Sequence, residues 1–280
     1  MSYAFQPDRI YRTPTHFGPA PGPRQQSGGA RYANVDSPRT TWIWADLAVE
    51  ADELSQHLPP GFEPGPDSQM RIELRYRRDI AWLAGRGYNI VMVSWLCVWA
   101  ATGQTGWLQA AVWENCPDAI ITGRDELGVP KLYATIPDTT WRPDLAQRRV
   151  DNAATASWDA HTFLTVDLSD ITPVTPHAVT LRRDYFQWRH VPAPGRPGAS
   201  DASYALHTPT SHDSTRILDA YSARVEVVWW PGTFDQLPTL CHIVDGLAGL
   251  RVDGTVQAGI ARTIGGRDLG NQLRLDRAGT

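Results

Sequence analysis

The sequence predicts an α+β, β-dominated protein in which an antiparallel cone-like or barrel-like sheet carries a few helices. Three observations lead there. Residues 70–77 alternate strictly, with Met70, Ile72, Leu74 and Tyr76 on one face and Arg71, Glu73, Arg75 and Arg77 on the other, which is the period of a strand. Further apolar runs of strand length end in turn residues, and the 280 residues include 23 Gly and 22 Pro, as many tight turns require. Only one later segment has helical spacing over a substantial length. A hydrophobic content of 42% with 12 Trp supplies ample material for a core.

Residues 1–40 read as an extended Pro/Gly-rich N-terminal arm, with Pro14, Pro19, Pro21, Pro23 and the run Gln25-Gln26-Ser27-Gly28-Gly29 and no sustained periodicity. Its aromatics Tyr3, Phe5, Tyr11 and Phe17 suit an arm lying across the domain or a neighbouring subunit. A loose terminus is the alternative. Residues 41–280 then form a single catalytic domain. A Trp-rich strand over 41–47 leads to a short helix over 49–57, with Asp52 and Glu53 near its start and Pro59-Pro60-Gly61 closing it. The alternating strand follows, then a long buried strand over 88–101 and another over 106–114. Later strands are expected at 155–160, 162–167, 178–189 and 223–230. The helical segment is 234–250, through Leu237, Leu240, Ile243, Val244 and Leu247. Many antiparallel strands with few helices point to a closed or cone-like sheet.

Composition also excludes function classes. The longest apolar stretch, 90–101, contains Ser94 and falls short of the roughly 20 residues that span a bilayer, so no membrane partner is expected. Residues 1–23 lack a basic segment followed by an apolar run, and the expected location is cytoplasmic. Cys97, Cys116 and Cys241 are odd in number and far apart, which suits reduced core residues better than a disulfide framework or a CxxC site. A net charge of −4 without a basic tract argues against a nucleic-acid partner. Nucleophile elbows, P-loops and strand-linked GxGxxG segments do not occur. His207 and His212 lack HExxH spacing and read as exposed loop histidines, so neither a metal nor a cofactor is expected.

One compositional asymmetry points to chemistry. Of 26 basic residues, Lys131 is the sole lysine. Arginine serves every ion pair as well or better, but only an amine can lose its proton near neutral pH and attack a carbonyl. A free lysine is only about 0.04% deprotonated at pH 7, and burial lowers its pKa toward neutrality. Lys131 follows turns at Gly123 and at Gly128-Val129-Pro130 and enters the apolar run Leu132-Tyr133-Ala134, so low-dielectric surroundings are expected. A structural ammonium paired with Glu126 or a backbone carbonyl is the alternative.

The segment Gly123-Arg124-Asp125-Glu126-Leu127-Gly128-Val129-Pro130-Lys131 resembles the Gly-Arg-Glu-x-x-x-x-Pro-Lys signature of the acetoacetate decarboxylase-like superfamily, whose lysine forms a Schiff base. Acetoacetate decarboxylase is itself a known case of a lysine activated by its surroundings. Residues 42–63 with their Pro-Pro-Gly-Phe-Glu turn, the Arg71-Ile72-Glu73 strand, Glu114-Asn115 and the Trp230-Pro231-Gly232 corner agree in order, and the resemblance covers roughly residues 40–250. It implies an acetoacetate decarboxylase-like fold and an imine on Lys131. Three departures separate the chain from true decarboxylases: Leu132 stands where they carry a second lysine, Ala48 where they carry an arginine, and Ile90 where a glutamate follows a Tyr-x pair.

The resemblance therefore favours the aldolase-dehydratase members, which condense pyruvate or a similar 2-oxo acid with an aldehyde and then lose water. Acetoacetate decarboxylation is one alternative, and a non-catalytic small-molecule binding protein is another. Glu73 is the candidate proton shuttle, or else the partner of Arg71, Arg75 or Arg77. Gln109, expected on one strand face with Trp107, Ala111 and Trp113, is a candidate substrate contact or a core amide. Tyr88 and Tyr133 are candidate hydroxyl donors to substrate. Arg124, Glu126 and Pro130 are expected to support the lysine turn. The expected partners are small 2-oxo acid and aldehyde substrates and further copies of the chain in a homo-oligomer.

Overall fold

The computed structural model describes residues 4–211 and 213–275, so Tyr3 and His212 lie outside the described residues. Thirteen strands among them form one sheet. They are β1 (Arg39–Val49), β2 (Phe62–Pro64), β3 (Gln69–Ile80), β4 (Arg86–Trp99), β5 (Gln104–Glu114), β6 (Lys131–Tyr133), β7 (Val150–Trp158), β8 (His161–Val174), β9 (Tyr185–Pro192), β10 (Ser200–Thr208), β11 (Arg216–Trp229), β12 (Val252–Ile264) and β13 (Leu273–Leu275). Three α-helices accompany them: α1 (Ala51–Ser55), α2 (Pro117–Leu127) and α3 (Cys241–Ala248). The hydrogen-bonded order is β13-β10-β9-β5-β4-β3-β1-β12-β11-β8-β7, with β2 added to β4 and β6 to β5. Pairing is antiparallel except for β5 with β6 and β5 with β9. The β-dominated class holds. The sheet is not closed, because β13 and β7 end the path without pairing with each other.

Strand alternation divides the apolar residues between the two faces of this sheet. Ile43, Ala45 and Leu47 of β1, Ile72 and Leu74 of β3, and Val91, Val93 and Trp95 of β4 face the larger core, which α3 covers through Val244 and Leu247. Tyr88, Ile90 and Met92 of β4 face the other way, into a smaller layer with Trp107, Ala119 and Leu127 that α2 covers. β4 thus serves two cores, as period 2 requires of a strand buried on both sides.

Several elements differ from their sequence expectation. The expected helix 49–57 is reduced to Ala51–Ser55, and 234–250 is reduced to Cys241–Ala248. The strand expected over 178–189 begins only at Tyr185. No turn forms at Gly123: α2 runs through it, from Pro117 in the first turn to Gly128, whose φ of 64° provides the left-handed cap. Strands β10 and β12 had no clear sequence signal. Gly254, Gly259 and scattered polar residues weaken the pattern of β12, and pairing with β1 and β11 overrides it.

The arm packs on its own domain. Arg12 pairs with Glu126 at 2.8 Å, Gln25 is buried and donates to the carbonyls of Ile10 and Ala20, and Arg31 reaches Asp268 and Asn271. Among the described residues no helix is long and apolar enough to cross a membrane.

Candidate active site

Lys131 is the first residue of β6, a three-residue strand that α2 delivers to β5 beyond its pairing with β9, where it pairs in parallel with Val112. Its ammonium does not meet Glu126. Nζ sits 2.8 Å from both carboxylate oxygens of Glu114 and donates to the Ala119 carbonyl at 2.9 Å. The lysine side chain is 10% exposed and that of Glu114 is 1% exposed. The aliphatic stem crosses α2 at Gly123, where a Cβ would lie 2.6 Å from Nζ and closer still to Cδ and Cε. Glycine occupies that helix position because the lysine fills the space a side chain would take.

Lys131 and Glu114 line a cavity of about 170 Å³ on the α2 side of the sheet, together with Tyr88, Gln109, Arg75, Arg77 and Tyr185. Gln109 reaches it through an irregularity in β5. Val93 pairs with Ala111 and Ser94 with Gln109, so Ala110 is an extra residue on β5, a bulge that resets the alternation. Ala111 and Trp113 therefore face the larger core, and Gln109, Val112 and Glu114 share the cavity wall. The expected face of Gln109 with Ala111 and Trp113 is corrected by that single residue. Its amide donates to Met92 Sδ at 2.9 Å and accepts from Gln187 at 2.9 Å.

Glu73 does not line the cavity. It lies just behind the wall, 2% exposed, in a row of buried charges: Asp46 takes a two-pronged contact from Arg71, Arg71 reaches Glu73 at 3.4 Å, and Arg75 pairs closely with Glu73. The Tyr185 hydroxyl donates to Glu73 at 3.1 Å and accepts from Arg75 at 2.6 Å. Burial works to raise the Glu73 pKa, but the guanidiniums of Arg75 and Arg71 and the Tyr185 hydroxyl outweigh it and hold the carboxyl below its ordinary value. A carboxylate so held is a fixed anion and a poor proton carrier. Of its two expected roles, this geometry fits the partner of Arg71 and Arg75, which positions Arg75 and Tyr185 on the cavity wall.

The remaining expected residues separate. Tyr88 lines the cavity, its hydroxyl accepting from Arg77 at 2.8 Å. Tyr133 does not: β6 carries it past the cavity to the end of β5, beside Glu114 in register, where it is 48% exposed. Arg124 donates to the Lys131 carbonyl at 2.9 Å, and Pro130 accepts from the Val112 amide. Glu126 is turned toward the arm, where burial raises its pKa against the opposing effect of Arg12 and Arg24. Sequence reasoning gave no site role to Glu114 or Tyr185, and Arg75 entered only as one of three candidate partners of Glu73. Glu114 meets Lys131 because α2 returns the chain so that the short β6 pairs in parallel with the last three residues of β5, Val112 to Glu114. No group of three or more His, Cys, Asp or Glu among the described residues is arranged to hold a metal ion.

The acetoacetate decarboxylase (ADC) family model matches residues 14–263. Solved structures of the same fold include acetoacetate decarboxylase from Legionella pneumophila, 12% identical over 89% of this chain and 92% of that one, with a TM-score of 0.63. An acetoacetate decarboxylase-like enzyme from Sphingomonas wittichii RW1 is 19% identical over 88% and 96%, with a TM-score of 0.62. The enduracididine biosynthesis enzyme MppR, complexed with the condensation product of pyruvate and imidazole 4-carboxaldehyde, is 15% identical over 93% and 99%, with a TM-score of 0.63. These likenesses are of fold. No curated protein matches the sequence.

Proposed function

The chain belongs to the acetoacetate decarboxylase family, and from that premise we propose that it is an imine-forming carbon–carbon lyase, joining a small 2-oxo acid such as pyruvate to an aldehyde with loss of water. The observation that carries this reading is the sole lysine, set in the wall of a small cavity with its amine between the two oxygens of a buried carboxylate. Arginine fills the other 25 basic positions and would serve a structural ion pair here, whereas only an amine can form an imine.

In this reading Glu114 takes the ammonium proton, and the free amine adds to the ketone carbon of pyruvate. Loss of water leaves an imine. Removal of a proton from the neighbouring methyl gives an enamine, whose carbon attacks the aldehyde carbon while the aldehyde oxygen takes up a proton. Elimination of that oxygen as water and hydrolysis of the imine release the unsaturated 2-oxo acid and restore the amine. Glu114, 2.8 Å from Nζ, is the acid-base group of this reading, and Gln109 and Tyr88 supply polar contacts at the wall. Among enzymes of this fold, MppR has been seen with pyruvate, which supports the choice of substrate class. Glu73 serves here by holding Arg75 and Tyr185, and Arg124 and Pro130 by fixing the backbone at Lys131.

Reduction with borohydride in the presence of pyruvate should attach the substrate covalently to the Lys131 peptide, read by mass spectrometry. An unmodified peptide overturns the proposal. The family match favours acetoacetate decarboxylation as a second reading, and carbon dioxide release from acetoacetate separates the two. The single lysine favours the first, because Leu132 supplies no neighbouring cation.

A further inference from the structure

Four cationic side chains line the cavity, and three of them have a carboxylate. Lys131 has Glu114, Arg75 has Glu73, and Arg267 has Asp213 at 3.4 Å. Arg77 is different. Its Nη1 donates to the neutral hydroxyl of Tyr88 at 2.8 Å, its guanidinium lies 5.5 Å from the Tyr88 ring centroid, and among the described residues no carboxylate forms an ion pair with it. The Nε of Arg75, two residues along the same face of β3, is buried without a hydrogen-bond partner. A partly buried guanidinium facing a cavity without a counter-ion, beside an unused donor, is a site for an anion.

Position along the sheet says which anion. Arg75 pairs with Ile90 of β4, and Ile90 with Glu114 of β5, which places Arg75 and Glu114 in one row about 9.5 Å apart at the backbone. Arg77 lies two residues farther out, opposite Tyr88. A carboxylate one C–C bond from an imine carbon stays within about 4 Å of the lysine nitrogen. Arg77 therefore faces the far end of a substrate and not the carboxylate of the 2-oxo acid itself.

We propose that Arg77 is a specificity-determining residue that binds a second carboxylate, carried by the aldehyde partner, so that the enzyme condenses a 2-oxo acid with a short carboxylated aldehyde. The cavity of about 170 Å³ is close to the roughly 150 Å³ that accommodates benzene, which limits the aldehyde to a few carbons. Both carboxylates pass through the reaction unchanged. The new C–C bond forms between the enamine carbon and the aldehyde carbon, the aldehyde oxygen leaves as water, and the product is an unsaturated 2-oxo dicarboxylate. This inference rests on the imine reading for its reaction but not for its anion site.

Two measurements test it. Calorimetric titration with glutarate, which has two carboxylates and no carbonyl to react, should show binding to the wild type and at least tenfold weaker binding to Arg77→Gln. Turnover with pyruvate should favour succinic semialdehyde over butyraldehyde by tenfold or more in kcat/KM, and Arg77→Gln should erase that preference. Arg77→Lys, which keeps the charge and loses the two-pronged fork, should weaken glutarate at least threefold and keeps the test readable if the glutamine variant does not fold. Wild-type affinity in the variants, or no glutarate binding by the wild type, overturns the proposal. Arg77-dependent glutarate binding without borohydride trapping of pyruvate would instead overturn the imine chemistry and leave the anion site standing.

Discussion

The Lys131 side chain runs across the Cα of Gly123, so that the glycine's missing side chain and the lysine's stem compete for one volume in the helix wall. In an exposed helix, Gly→Ala stabilises by about 0.5–1 kcal/mol. Here the added methyl meets Cδ, Cε and Nζ of the lysine, and the amine must leave its place between Glu114 and the Ala119 carbonyl. Gly123→Ala is expected to lose imine formation by 100-fold or more while the protein stays folded. Trapping of pyruvate at the wild-type rate in that variant would show that the lysine can take another path.

Glu114→Gln removes the charge that holds Nζ and the base that takes its proton, and leaves the side-chain volume nearly unchanged. General acid-base groups contribute about 10²–10⁴-fold, and a loss of kcat in that range is expected, with pyruvate still trapped slowly on Lys131. A variant within threefold of wild type in kcat would remove Glu114 from the mechanism. Tyr133→Phe serves as the contrast, since Tyr133 stands outside the cavity and its loss should change kcat less than twofold.

Glu73 neutralises the buried Arg71 and the partly buried Arg75, and Glu73→Gln leaves Arg71 with Asp46 alone and Arg75 without a carboxylate among the described residues. Breaking a buried pair in this way costs about 3–5 kcal/mol, to be read as a lower urea midpoint at pH 7. The pH dependence follows from the direction of its pKa. The folded value is depressed, so the carboxylate's contribution is complete above the unfolded value of about 4.3 and is lost as pH falls below it toward the folded value. Wild type should therefore lose stability more steeply than Glu73→Gln on acidification below about pH 4. Parallel curves for the two proteins would contradict the ionised assignment.

Local pattern carried part of this architecture. The alternation of residues 70–77 placed Met70, Ile72, Leu74 and Tyr76 in the core, where they are found. The pattern says nothing of what covers the opposite face, and Arg71 and Glu73, which look solvent-facing as a sequence, lie buried beneath other elements. Gly123 looks like a turn because glycine is a poor helix former, and its actual role appears only once Lys131 is folded back across α2. Gln109 shares its face with Trp107 as the alternation predicts, but not with Ala111 and Trp113, since the Ala110 bulge changes phase without any mark in composition. The meeting of Lys131 with Glu114 joins residues 17 apart through a strand-helix-strand link, a contact set by topology and not by spacing.

The row from Asp46 to Arg75 has a consequence for the energetics of any charged step beside it. Asp46, Arg71 and Glu73 are buried and locked into one another, and Glu73 holds Arg75 at the cavity wall, so their orientation is settled when the chain folds. Water around a reacting group must rotate each time charge moves, and that reorganisation is part of the barrier. A seam of immobile opposite charges does not rotate, and the cavity wall above it supplies a preorganised field whose cost was met during folding.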